Sequence, residues 1–232
     1  MRLPSQCAVC RSWPSQRLCQ ACLSRFASPR PRCARCALVL TVGAGQSGCP
    51  QCQGQSWPLD ACFAAVDYAY PWSDLLTRFK FQKQTGYADL FAQLLLRDLA
   101  VGPCLAALNP EDWLLPLPLS PQRLAERGFN QAWELAQALH LQSRSPAALH
   151  ARLLLRLRHT EAQSRLPRQD RLANVRGAFL VDPLMARQVQ GRQVVLIDDV
   201  MTSGASLASA AQALRQAGAA SVRAIVVART PA

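Results

Sequence analysis

Residues 193–206 read QVVLIDDVMTSGAS, and this stretch decides the fold. Val194, Val195, Leu196 and Ile197 form a continuous apolar run without polar alternation, the pattern of a strand buried on both faces. Such a strand delivers Asp198 and Asp199 at its carboxyl end, where open α/β sheets bind ligands. The turn Thr202-Ser203-Gly204-Ala205-Ser206 leads into a helix over about 204–217, with Gly218 as its stop. Residues 221–228, SVRAIVVA, form the next strand. Strand, helix, strand is a βαβ unit, so the expected fold class is α/β with a mostly parallel sheet flanked by helices.

The same stretch carries chemistry. Backbone N–H groups and three hydroxyls at the positive end of a helix dipole make a phosphate cradle. Two carboxylates beside that cradle suit a sugar phosphate, whose vicinal hydroxyls they accept. A Mg²⁺ site of an NTPase would also use paired acids, but no GxxxxGK[ST] loop occurs in the chain. The bland alternative is an exposed strand end followed by a polar turn.

Working back from this motif, GAFLV (177–181) reads as a strand. Residues 144–176 hold eight Arg against Glu161 and Asp170, and pass from a strand at Leu153–Leu155 into RHTEAQSRLPRQ. A polar, basic excursion of this kind inside a domain reads as an active-site loop or as solvated surface. Gly128 precedes a helix over about 129–140, and WLLPLPL (113–119) reads as a short strand running into loop. Leu90, Phe91, Leu94, Leu95 and Leu99 lie at helical spacing within 87–100. Pro71 starts a short helix after a strand at 62–70, and Pro58 marks a boundary with what precedes it.

Eight of the ten cysteines fall in the first 52 residues as four CxxC pairs: Cys7/Cys10, Cys19/Cys22, Cys33/Cys36 and Cys49/Cys52. Two such knuckles close one tetrahedral Cys₄ shell, so four make two structural zinc sites with no open position. His140, His150 and His159 lie too far downstream to contribute locally. A segment so poor in large apolar residues folds because metal holds it. Disulfides would suit a secreted chain, yet MRLPSQCAVC lacks the apolar stretch of a signal peptide. A redox CxxC or an iron–sulfur cluster fits four repeated pairs less well. Spacing leaves open whether the knuckles share metals sequentially or interleaved. Cys62 and Cys104 read as small buried residues.

The run [DE]D–x₂–[ST][ST]G–x–[ST] at Asp198–Ser206 resembles the phosphoribosyl pyrophosphate (PRPP) motif of type I phosphoribosyltransferases. PLPLSPQRLAERGFNQA (116–132), the four upstream knuckles and the Arg-rich segment together resemble the ComF family of competence-associated proteins, including its GntX branch. The resemblance covers essentially the whole chain. It implies a double zinc ribbon over 1–58 and a type I phosphoribosyltransferase domain over 59–232, with a hood at 59–100 and a flexible lid at 144–176. It implies that Asp198 and Asp199 hold the ribose hydroxyls and that Thr202, Ser203, Gly204, Ala205 and Ser206 bind the 5′-phosphate. Arg127, Gly128, Phe129, Asn130 and Gln131 become a pyrophosphate loop, with Arg127 catalytic alongside the two acids. An Arg and a Gly at a helix start would supply charge and open N–H groups for it. Gln163, Arg171 and Asn174 fall in the lid. Zn²⁺ and Mg²⁺-PRPP are the implied cofactor and ligand, and self-association is common in related enzymes.

At 50% hydrophobic and 17% charged, 232 residues hold one full domain and a small one, and no apolar run is long enough to span a bilayer. A cytoplasmic location is expected. The formal net charge of +12 rests almost wholly on Arg, since Lys80 and Lys83 are the only lysines. It points to a polyanionic partner or to an arginine-rich coding bias. Two zinc-loaded tetrads at −2 each would lower it to about +8. Two function classes therefore stand. One is a phosphoribosyl transfer enzyme acting in uptake or use of external DNA, in contact with DNA-uptake machinery. The other is a non-catalytic, PRPP-regulated single-stranded DNA-binding protein. For the second, Trp13 and Trp57 would stack on bases among the seven Arg of residues 1–36, or else simply fill the zinc module. In the hood, Tyr68, Tyr70, Phe79, Lys80 and Phe81 would contact an acceptor base, or serve as core.

Overall fold

The computed structural model describes residues 5–13, 16–40, 49–53, 57–82, 84–157 and 177–231. In chain order these form α1 (Gln20–Phe26), β1 (Ala61–Asp67), α2 (Trp72–Phe81), α3 (Tyr87–Leu95), α4 (Val101–Ala106) and β2 (Trp113–Pro116). Then follow α5 (Pro121–Arg127), α6 (Gln131–Ser143), β3 (Ala148–Leu149), β4 (Leu154–Arg156), β5 (Phe179–Val181), β6 (Gln193–Met201), α7 (Ala205–Gln216) and β7 (Ser221–Arg229). The main sheet is parallel throughout, in the order β1-β7-β6-β2-β3. β4 and β5 pair separately as an antiparallel ribbon.

The unbroken apolar character of β6 and β7 follows from their central place. Val195, Ile197, Ile225 and Val227 pack on one face with α2, α3, α4 and α6. Val194, Leu196, Ala224 and Val226 pack on the other with α7, β5 and the second group of cysteines. Each fully buried Val, Leu or Ile contributes roughly 1.5–3 kcal/mol relative to exposure. Burial on the two sheet faces therefore holds the helices in place.

This layering creates the site. After β2 the chain crosses to α6 on one face; after β6 it crosses to α7 on the other. The two connections diverge at neighbouring strands, paired through Pro116 and Ile197. A crevice opens there, at the carboxyl ends, as expected of a topological switch point.

Several elements differ from the sequence reading. The helix expected over 87–100 ends at Leu95, and Leu99 is exposed. The strand at 113–119 stops at Pro116, and the one expected at Leu153–Leu155 runs over Leu154–Arg156, in the ribbon. α5 was not anticipated because it buries no residue and so shows no apolar period. Its signals are Ser120, whose Oγ accepts the Arg123 N–H at 3.4 Å, and Pro121 in the first turn. Gly128, at φ 80°, ends α5 rather than starting α6. Asn130 caps α6, its side chain accepting the Ala132 N–H at 2.9 Å. Among the described residues no helix is long and apolar enough to cross a membrane.

Candidate functional site

The crevice is a cavity of about 320 Å³ between the β2 and β6 ends. β6 brings Asp198 and Asp199 to its floor. The Asp199 N–H donates to Asp198 Oδ1 at 2.9 Å, and Lys80 Nζ lies 3.0 Å from Asp199 Oδ2. Burial pushes the Asp198 carboxyl up to about 8; the Asp199 carboxylate adds to this and Lys80 opposes it. Around the acids stand Lys80 from α2, Arg123 and Arg127 from α5, and Arg156 from β4. Four cationic groups thus face two carboxylates, one of them favouring its neutral form. Positive charge is in excess in the cavity.

The cations are held in place. Arg127 donates to Gln131 Oε1 at 2.7 Å and lies 5.0 Å over the Phe81 ring. Burial lowers its pKa, while Asp199 opposes that shift. Arg156 lies 5.3 Å over the Phe179 ring; burial and then Arg123 lower its pKa, against Asp198. A desolvated guanidinium of this kind is poised for a phosphate group.

Of the expected loop, Thr202, Gly204 and Ser206 line the cavity; Ser203 and Ala205 do not. Gly204 sits at φ 80° directly before α7, and a Cβ there would come within 3.0 Å of Trp57 Cη2. Glycine is therefore required for conformation and for space. Trp57 is partly buried and packs against the core beside Gly204. Trp13 is 61% exposed.

Of the segment Arg127–Gln131, only Arg127 and Gln131 line the cavity. Arg127 is the last residue of α5, so it does not stand at a helix start as expected. Gly128 terminates α5, Phe129 packs against Phe79 at 6.1 Å, and Asn130 caps α6 while donating to the Leu117 carbonyl at 3.2 Å. Gln163, Arg171 and Asn174 lie outside the described residues. Tyr68 lines the cavity, Tyr70 is exposed elsewhere, and Phe79 is fully buried. Arg123 and Arg156 were not singled out from sequence. Their excess of positive charge was visible there, but not its convergence.

The cysteines group sequentially as Cys7, Cys10, Cys19 and Cys22, then Cys33, Cys36, Cys49 and Cys52. Within each tetrad the sulfurs lie within 4.8 Å of one another, with Cys10–Cys19 at 3.6 Å and Cys36–Cys49 at 3.4 Å. Tetrahedral Zn–S bonds of ~2.3 Å place sulfurs ~3.8 Å apart, so four soft thiolates at this spacing fit that ion. The N–H of Cys19 points at Cys7 Sγ and that of Cys22 at Cys19 Sγ, both at 3.4 Å, which favours thiolate. Cys62 and Cys104 are buried, and burial raises both thiols, Cys62 to about 12.

The second tetrad is tied to the cavity. Arg229, only 4% exposed, donates from Nε to the Cys36 carbonyl at 2.9 Å. Its terminal nitrogen donates to the carbonyls of Met201 at 3.2 Å, of Thr230 at 2.8 Å and of Thr202. One guanidinium thus spans a cysteine knuckle and the loop after β6.

Residues 143–232 match the phosphoribosyl transferase domain family. The chain is 30% identical over 240 residues to DNA utilization protein YhgH of Escherichia coli (strain K12), covering 99% of each. It is 31% identical over 201 residues to Competence protein F of Haemophilus influenzae, covering 87% of this chain and 85% of that one. Competence protein ComFC of Bacillus subtilis is 37% identical over 118 residues, half of this chain and 44% of that one.

Proposed function

The chain belongs to the ComF family of proteins with a phosphoribosyltransferase domain, and from that premise we propose that it binds Mg²⁺-PRPP in the crevice and acts in the uptake or use of external DNA. One observation carries the reading: an acid pair at the end of β6, followed by a glycine-turned loop, faces four cations across one cavity. The two carboxylates accept the ribose 2′- and 3′-hydroxyls. The N–H groups of Thr202–Ser206 take the 5′-phosphate at the start of α7. Arg127, held by Gln131 and Phe81, takes the pyrophosphate, with Arg123 and Arg156 beside it. Mg²⁺, when bound, would be held by the ligand's own phosphate oxygens and would supply charge screening there.

Transfer would break the bond from the anomeric carbon to pyrophosphate and form one to an acceptor nucleophile. The chain's part is to hold the ribose and stabilise the departing charge, so no catalytic triad is needed. Of the segment 144–176 expected as a lid, residues 144–157 carry β3 in the main sheet and β4 in the ribbon, and 158–176 lie outside the described residues. Two structural zinc ions would hold the module at 1–58 beside the domain at 59–232.

The test is calorimetric titration with PRPP. Wild type is expected to bind, and Asp198→Asn with Asp199→Asn to lose binding while keeping its circular dichroism. Unchanged affinity in the folded double variant would sink the reading. A second reading, PRPP-regulated binding of single-stranded DNA without turnover, is favoured by an exposed aromatic and basic cluster. Tyr70, 66% exposed, meets Phe26 edge-on at 5.8 Å, and Arg25 lies 5.2 Å over Phe26. Release of pyrophosphate with an acceptor base supports transfer. DNA affinity that falls steeply with salt, without pyrophosphate release, supports the second reading.

A further inference from the structure

Lys80 stands where a bridging cation would be needed. It occupies the last turn of α2, between Phe79, which is fully buried, and Phe81, which lies under Arg127. α2 is fixed by Trp72, Leu75, Leu76 and Phe79 in the core and by the Trp72 Nε1–H bond to the Phe26 carbonyl at 2.8 Å. From this rigid base the ammonium reaches across the crevice to Asp199 Oδ2 at 3.0 Å, with the two side chains 18% and 4% exposed. A buried carboxylate needs such a partner, because a lone desolvated charge is costly.

On the PRPP reading, the acid that holds the ribose lies next to the pyrophosphate, so a cation between them meets negative charge on both sides. That place is already taken by a compact cation with three N–H donors, which forms an ion pair with Asp199 at 3.0 Å. Arg123, Arg127 and Arg156 line the same cavity, so a divalent ion entering beside Asp199 would meet four positive charges.

We propose that Lys80 is a substrate-positioning residue that stays on Asp199 when PRPP binds and turns its other donors to the pyrophosphate, so that this chain binds PRPP without a divalent metal at the acid pair. The proposal rests on the PRPP reading of the same cavity and goes beyond it by naming the cation that bridges acid and pyrophosphate.

The experiment is PRPP titration with and without added Mg²⁺, with zinc content measured in every sample. Wild type is expected to bind in both buffers within about threefold. Lys80→Met is expected to weaken at least about tenfold without Mg²⁺ and to recover when Mg²⁺ is added, as the ion fills the vacated place. Lys80→Arg, which keeps the charge, is expected to stay within about threefold of wild type and guards against a misfolded Met variant. Wild-type binding that requires Mg²⁺ overturns the role of Lys80 and leaves the PRPP reading standing. So does a Lys80→Met loss that Mg²⁺ does not restore. Failure of wild type to bind in either buffer overturns the PRPP reading itself.

Discussion

Arg229→Met tests whether the second cysteine tetrad and the loop after β6 form one mechanical unit. The guanidinium is almost wholly buried and donates to four backbone carbonyls, those of Cys36, Met201, Thr202 and Thr230. Hydrogen bonds to a charged group contribute about 1.5–3 kcal/mol each, but four on one side chain do not add, because its desolvation is counted only once. Removing the guanidinium strands buried carbonyl acceptors at about 1–3 kcal/mol each, or about 3–5 kcal/mol in all once the relief of its own desolvation is counted. For a chain of 150–250 residues, 1 kcal/mol moves the melting temperature by about 2–4 °C. The variant should therefore melt about 6–20 °C lower. Melting is followed by circular dichroism in zinc-replete buffer, and PRPP affinity is measured well below the transition. Affinity should drop too, since Met201 and Thr202 lead into the phosphate cradle. Arg229→Lys should fall between, as one ammonium reaches fewer carbonyls. Melting of Arg229→Met within about 2 °C of wild type would refute the reasoning.

The tetrads and the acid pair can be tested in the same way. Cys49→Ser and Cys10→Ser should each reduce bound zinc from two ions to one, read by metal analysis. Only Cys49→Ser should weaken binding of ribose 5-phosphate, because the second tetrad alone is tied through Arg229 to the loop after β6, the proposed 5′-phosphate site; equal losses would contradict that linkage. For pH, the Asp198 carboxyl rises from its ordinary value near 3.8 to about 8 on folding. The folded state then binds the extra proton, so its stability is full below pH ~4 and declines as pH rises through about 8. Urea unfolding across that range should show the decline in wild type and a flatter profile in Asp198→Asn, and identical slopes would rule it out.

The central βαβ unit was legible because a strand buried on both faces must be apolar at every position, and β6 and β7 are. The loop at Thr202–Ser206 was legible for a related reason: its glycine, hydroxyls and acids are contiguous. What escaped the sequence lacked either periodicity or contiguity. α5 touches no core, so nothing in its residues repeats. Arg156 reaches the cavity only through the pairing of β4 with β5, and Lys80 reaches Asp199 only because α2 packs across the sheet. Four evenly repeated CxxC pairs are symmetric in sequence. Their sequential grouping is decided by where the chain passes between the second and third knuckles, through α1 and the Arg30 and Arg32 contacts to Asp67.

The placement of the tetrads gives the arginine-rich N-terminus a mechanical role that composition did not suggest. The first tetrad lies beside the wall that carries Lys80: Leu18 and Leu23 share a core with Leu76 and Phe79, and Arg17 donates to the Gly86 carbonyl. The second lies behind the opposite wall, through Arg229, through Trp57 against Gly204, and through the Cys62 N–H bond to the Ala34 carbonyl at 2.7 Å. Each wall of the crevice is thus backed by one knuckle pair. Several N-terminal arginines are accordingly spent on internal contacts, Arg30 and Arg32 on Asp67 and Arg35 on the Cys52 carbonyl. Among the described residues, the crevice is where Lys80, Arg123, Arg127 and Arg156 converge to face a ligand.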